Sequence, residues 1–234
     1  MMIEVGGVKV AELSVKDLLG RPLNSYEKRF APSKLFVAGR LPMPLKVQRV
    51  AVVGTRQPTS RAVEFTKQIV KDLVREKVAV VSGLARGVDT TAHKTAIEYA
   101  GKTIAVLGTP LNRFYPPENR ELQLTIMREH LAVSQFPPNH VTHPRDFILR
   151  NRTMALISDA SIIVEAGETS GALSQGWEAI RLGRPLYIAP FVLEQNLDWP
   201  KKMIEYGAKI FEDVDDLVGL LPNHEYELSS ILER

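Results

Sequence analysis

From Arg49 onward the chain alternates short apolar runs with longer stretches whose apolar residues recur at helical spacing, and few folds accommodate that alternation. The runs occupy 50–53, 78–81, 103–107, 131–134, 161–164, 186–189 and 209–211. Each is too short for a stable helix, and a run without polar alternation describes a strand buried on both faces. Between the first two lies RAVEFTKQIVKDLVREK. It carries Ala62, Phe65, Ile69 and Leu73 on one stripe, with Val63, Val70 and Val74 beside it. Ser60 is its predicted N-cap. Further helices are predicted from Asp89 onward and over 119–130, 151–158, 172–182, 199–206 and 214–221, with Gly183 and Gly207 where helices usually stop. The pattern predicts an α/β protein of three layers, α/β/α, with a mainly parallel sheet of about seven to nine strands. In such folds ligands bind beyond the carboxyl ends of the strands.

The ends of the chain are less regular. Residues 1–33 show no clear period and read as a short N-terminal elaboration, 34–37 reads as an edge strand, and Pro42 and Pro44 mark a loop. A core domain is expected over 34–222 and an acidic tail over 223–234. No apolar run approaches the roughly 18 residues needed to span a bilayer, and the N-terminus has no signal-peptide core. With no cysteine, disulfides and thiolate metal sites are excluded; a cytoplasmic protein with no membrane contact is expected. The net charge of +3 conceals an asymmetry: residues 212–234 carry −6 and residues 1–211 carry +9. A basic body permits a polyanionic partner, although solvated helix lysines would give the same count.

Reading only the residues just after each strand gives Gly54-Thr55-Arg56, Ser82-Gly83, Gly108-Thr109-Pro110 and Glu165-Ala166-Gly167, with Ser170-Gly171 ahead of a helix. Turns in α/β proteins use glycine anyway, but that does not account for Gly-Thr-Arg or for Ser170-Gly171. Arg56 is the sharpest of these, because a guanidinium at a strand end can fork onto phosphate oxygens. A surface salt bridge is the alternative. The segment 143–152, HPRDFILRNR, sets Arg145, Arg150 and Arg152 around Phe147, with Asn151 as a predicted helix cap. Arginines with an aromatic face are the combination used on single strands; Phe147, Ile148 and Leu149 could instead form a buried run.

The central stretch, VAVVSGLARGVDTTAHKTAIEYA (78–100), runs from strand through small-residue turn to helix, the arrangement that holds phosphate at a helix N-terminus. It supplies one base in the turn, Arg86, so Ser82, Gly83 and Gly87 are expected to form a pocket floor while the charge comes from Arg56 and from 147–152. Other chemistries fail on spacing. Gly101-Lys102-Thr103 leads into a strand and lacks the first glycine of a P-loop, and the dinucleotide G-x-G-x-x-G is absent. Ser82, Asp89 and His93 do not form a hydrolase triad, since Asp89 and His93 share a helix face and no G-x-S-x-G elbow surrounds Ser82. The five histidines lack metal-ligand spacing. No catalytic residue, metal or cofactor is expected, with Glu165 kept as the candidate base of an enzyme alternative.

The ordered motifs VAVVGTR, SGLARGVDTTAH, GKTIAVLGTPLNRFYPPEN, DFILRNR, VEAGETSGAL, GRPLYIAP and IEYGAKIF resemble the DNA-processing protein A (DprA, or Smf) family over about 35–220. The resemblance implies a Rossmann-like fold, single-stranded DNA bound in a basic pocket, a homodimer, and loading of a recombinase during uptake of foreign DNA. It implies that Gly54, Thr55 and Arg56 contact phosphate, that Phe147 stacks on a base, and that Arg150, Asn151 and Arg152 line the pocket. Ser82, Gly83, Gly87, Ser170 and Gly171 would shape its floor. The chain departs from the family pattern at Ser174-Gln175-Gly176, at Phe191, and in lacking the N-terminal helical and C-terminal winged-helix domains of many members; these departures weigh on recombinase loading and transformation. Related classes stay open: a nucleotide sensor on the same fold, and a phosphoribohydrolase, whose P-G-G-x-G-T-x-x-E loop EAGETSGALSQGWE only partly imitates.

Overall fold

The apolar runs become strands where their pattern predicts. The computed structural model describes residues 3–224, so 225–234, most of the expected acidic tail, lie outside the described residues. In chain order the elements are β1 (Ile3–Val5), β2 (Val8–Leu13), α1 (Val15–Leu19), α2 (Ser25–Phe30), β3 (Leu35–Gly39), β4 (Arg49–Val53), α3 (Ser60–Arg75), β5 (Ala79–Ser82), α4 (Val88–Glu98), β6 (Thr103–Leu107), α5 (Arg120–Glu129), β7 (Leu131–Ser134), α6 (Pro144–Ile157), β8 (Ala160–Ile163), α7 (Gly171–Arg181), β9 (Leu186–Ile188), α8 (Asp198–Glu205), β10 (Lys209–Ile210) and α9 (Val214–Val218).

The ten strands form one sheet in the order β1-β2-β3-β7-β6-β5-β4-β8-β9-β10. From β7 to β10 every pairing is parallel; β3, β2 and β1 continue the sheet antiparallel. Every residue of β4 to β8 is buried, as a sheet covered on both faces requires. The path β4–β5–β6–β7 crosses the sheet in one direction, and right-handed crossovers set α3, α4 and α5 on one face. The chain then returns past β4 to β8, β9 and β10, which puts α6, α7 and α8 on the other. Accordingly α3 packs on α4, and α7 packs on both α6 and α8. Strand β4 lies where the winding reverses, with β5 on one side and β8 on the other.

Several expectations need correction. The N-terminal segment is structured: β2 pairs Ala11, Glu12 and Leu13 with Val37, Phe36 and Leu35 of β3. Its signal was hidden because Lys9, Ala11 and Glu12 face solvent, as on a half-exposed antiparallel strand. The 34–37 run is consequently interior, with Leu35 to Ala38 buried between β2 and β7. The N-cap of α3 is Thr59, whose hydroxyl accepts from Ala62 N, so Ser60 is the first helical residue. Asp89 does not open α4, which starts at Val88 after Gly87. Finally, α6 begins at Pro144, seven residues before Asn151, which therefore caps nothing. Proline suits the first turn, where its missing N–H costs nothing, and Asp146 accepts from His143 N at 2.7 Å. At the opposite end of the sheet from the strand tips, His224 is buried against Asp159 at 2.9 Å and Arg49 at 2.8 Å.

Candidate functional site

Because the loops after β4 and β8 lead to opposite faces, a cleft opens between them, the position expected of a ligand site at a topological switch point. It measures about 490 Å³. Gly54, Thr55 and Arg56 form one wall, and Gly167, Thr169, Ser170 and Gly171 the other. Helix α6 contributes Phe147, Arg150, Asn151 and Met154, and Asp89 reaches in from α4. An adjoining pocket of about 130 Å³ runs toward Gly83, Arg86, Leu107, Gly108 and Tyr115. Arg56, Ala85, Phe147 and Arg150 border both.

The walls are held by the backbone. Thr55 N donates to the carbonyl of Glu165 at 2.6 Å, and Val88 N donates to the carbonyl of Thr55 at 3.2 Å. This places the β4 loop against the start of α4. Gly87 is required there: its φ is +74°, and a Cβ would lie 2.4 Å from the carbonyl oxygen of Thr55. The Glu165 carboxylate accepts from Thr59 N at 2.8 Å, from the Thr59 hydroxyl at 3.0 Å and from Gln195 Nε2 at 3.3 Å. The candidate base of the enzyme alternative is thus buried and spent on holding the loop. Of the first amides of α4, Val88 N and Thr90 N are likewise taken, by the carbonyls of Thr55 and Ala85, which ties that helix start into the scaffold.

The arginines divide into distinct environments. Arg56 is exposed and makes no salt bridge or side-chain hydrogen bond among the described residues. Arg150 is only 6% exposed. Its Nη1 donates to the carbonyls of Gly83 and, at 2.9 Å, Val106, while Nε donates to Asn151 Oδ1 at 2.9 Å. A Cβ on Gly83 would fall 1.9 Å from that Nη1, so glycine there makes room for the guanidinium. Burial holds the Arg150 pKa below its usual value, although Asp89 nearby favours the cation. Burial likewise raises the Asp89 pKa, and the opposing pull of Arg150 does not offset it. Arg86 is exposed and ion-paired with Glu118. Arg152 is not in the cleft: it donates to Glu178 at 3.2 Å and lies over the ring of Phe30.

Phe147 is half-buried while Ile148 and Leu149 are exposed, so 147–149 is not a buried run. Its ring centroid lies 5.4 Å from that of Tyr115. Asn151 donates from Nδ2 to the carbonyl of Gly171 at 3.0 Å, tying α6 to the start of α7. Ser82 is buried with its hydroxyl on the carbonyl of Val52, and Ser170 caps α7 through Ala172 N. Tyr115, Asp89 and Gln175 also border the two pockets and were missed as site residues. Tyr115 follows no strand end directly, and the i, i+4 relation of Asp89 to His93 pointed only to the helix. No group of three metal-ligating side chains occurs among the described residues, and no described helix is long and apolar enough to cross a membrane.

Comparison with known proteins places this geometry. Residues 22–222 match the family model described as DNA recombination-mediator protein A. DNA processing protein DprA of Streptococcus pneumoniae is 37% identical over 190 residues, covering 81% of this chain and 67% of that one. The Bacillus subtilis DprA is 30% identical over 197 residues, covering 84% and 66%. Protein Smf of Synechocystis is 38% identical over 194 residues, covering 81% and 49%. The chain thus spans about two thirds of the first two relatives' length and half of the third's. The X-ray structure of S. pneumoniae DprA superposes with a TM-score of 0.78 at 33% identity, covering 91% of this chain and 74% of that one. Helicobacter pylori DprA, solved for its single-stranded DNA binding mode, superposes with a TM-score of 0.73 at 23% identity, covering 100% and 99%. At that identity the likeness establishes the shared fold. With a family match across most of its residues and the Rossmann-like fold of these structures, the chain belongs to the DNA recombination-mediator protein A family, that of DprA and Smf.

Proposed function

We propose that the protein binds single-stranded DNA without processing it, taking the sugar–phosphate backbone across Arg56 and the loop amides of Gly54 and Gly171, between walls formed by Thr55 and Ser170, with a base on Phe147. The observation that carries this reading is Arg56. It is an exposed guanidinium without an ionic partner among the described residues, on the border of both pockets and across from an aromatic ring. A guanidinium offers forked donors that suit phosphate oxygens, and an aromatic face accepts any base. A binding role rather than catalysis is supported by the engagement of Glu165 with Thr59 and Gln195. Family membership, and the binding mode reported for H. pylori DprA, support the same ligand. The finer reading is a cytoplasmic homodimer that hands the strand to a recombinase during DNA uptake; the family's description as a recombination mediator accords with the recombination step.

Titration of a labelled oligonucleotide tests the proposal. Wild type binds at low salt, with affinity that falls as salt rises and changes little with sequence. Arg56→Ala binds about ten- to a hundredfold more weakly, the value of one charge-assisted contact. Absence of binding at low salt, or equal binding by the variant, would overturn it.

A further inference from the structure

Among the described residues, the cleft lining includes one buried side-chain acceptor that the fold leaves without a partner. Gln175 lies on α7 one helical turn below Gly171, about 6 Å further from the mouth. It borders the cleft and is 0% exposed. Its Nε2 donates to the hydroxyl of Ser161 on β8 at 2.8 Å, which fixes the carboxamide plane. The other end, Oε1, is buried and accepts no hydrogen bond among the described residues. Neighbouring polar groups are satisfied: Asn151 uses both ends of its amide, on Arg150 and on Gly171. A buried acceptor left open costs the free energy of its lost hydration, and each such group in a folded protein calls for an explanation.

We infer that Gln175 reads the edge of a nucleobase that enters the cleft, its Oε1 accepting from an N–H of the base. This inference rests on the single-strand reading above. The chemistry of the group selects the partner. An amide oxygen has no hydrogen to offer a phosphate and is repelled by one, so phosphate stays at Arg56 near the mouth. A base is flat and uncharged, suited to the apolar surface that Met154 and Ala172 add to the cleft lining, and the imino N–H of thymine supplies the missing hydrogen.

Two oligonucleotides separate the outcomes: a short oligothymidylate, and the same length made with N3-methylthymine, which lacks the imino hydrogen. Wild type should prefer the first by about three- to tenfold, the value of one neutral hydrogen bond. Gln175→Met, similar in shape and without the acceptor, should lose that preference with a melting temperature near that of wild type, because it removes the unpaired Oε1 but leaves the Ser161 hydroxyl without its donor. Gln175→Met combined with Ser161→Ala provides a second variant that leaves no orphan on either side, and it should behave alike. Equal wild-type binding of the two oligonucleotides overturns the inference and leaves the single-strand reading standing, as expected if a buried water satisfies Oε1. Preference retained in both variants also overturns it. Failure of wild type to bind either oligonucleotide overturns both readings.

Discussion

Arg150 and Arg56 both border the cleft, yet their surroundings predict opposite consequences for removing them. In Arg150→Ala, the carbonyls of Gly83 and Val106 and the Oδ1 of Asn151 lose their donor together. Each buried acceptor left unsatisfied costs about 1–3 kcal/mol. The site adjoins an open cleft, so water reaches part of the void and the lower end of that range applies. Relief of the buried cation offsets a little more. The expected loss is about 3–5 kcal/mol, at the severe end for a single substitution. For a chain of 234 residues, unfolding entropy of about 2.1 cal/mol/K per residue converts this to a fall in Tm of about 6–10 °C. Arg56→Ala removes an exposed side chain with no salt bridge, and exposed substitutions usually stay within about 0.5 kcal/mol, so its Tm should move by about 1 °C at most. Its loss should appear in DNA binding, with the salt dependence reduced by about 0.7 in log–log slope, the share of one phosphate on a single strand. Differential scanning fluorimetry of both proteins, followed by oligonucleotide titration at several salt concentrations, gives the comparison. An Arg150→Ala protein that melts with wild type, or an Arg56→Ala protein that melts with Arg150→Ala, would refute the assignment of one arginine to the scaffold and the other to the ligand.

His93 gives a pH signature: buried with Nδ1 2.7 Å from the Thr103 hydroxyl, it has its pKa pushed down by burial to about 3. The unfolded chain takes up this proton below about pH 6.5 and the folded chain does not, so stability should fall by about 1.4 kcal/mol per pH unit as pH drops from 6 toward 4. Urea unfolding across that range should show a slope shallower by this amount in His93→Asn, and parallel slopes would contradict the burial argument. At the cleft wall, Gly87→Ala forces a Cβ onto the Thr55 carbonyl in a left-handed conformation. It should weaken oligonucleotide binding by displacing Thr55 and Arg56 and should lower Tm as well, whereas retention of both would mean that this approach does not set the loop.

The fold was legible because its strands are buried on both faces: a run such as Val50 to Val53 has no other stable use in a protein of this size. Legibility failed where burial is one-sided. In β2, Lys9 and Glu12 at the surface erase the contrast, and a half-exposed antiparallel strand reads as irregular chain. It failed again at α6, where the charges of 145–152 drew attention from the Pro144 and Asp146 signals that open the helix. That error carried through to the site: taking Asn151 as a cap made Arg150 and Arg152 equivalent neighbours at a helix start. In the middle of a helix, residues two apart point about 200° apart, so one arginine enters the cleft and the other meets Glu178.

What sequence could not separate was donor from scaffold among like residues. Arg56, Arg86, Arg150 and Arg152 are chemically identical, and only their partners distinguish them: none for Arg56 among the described residues, an exposed carboxylate for Arg86, carbonyl oxygens for Arg150, and Glu178 for Arg152. The distinction matters for function. An arginine whose Nε and Nη1 are already committed to Asn151 and to two carbonyls has fewer donors to offer a phosphate and contributes by fixing α6, and with it Phe147, relative to β5 and β6. An unpaired arginine on a short loop keeps its donors for the ligand. The switch point makes both roles available within one cleft, because the loop after β4 is anchored by its backbone to Glu165 and Val88 while its Arg56 side chain is left unencumbered.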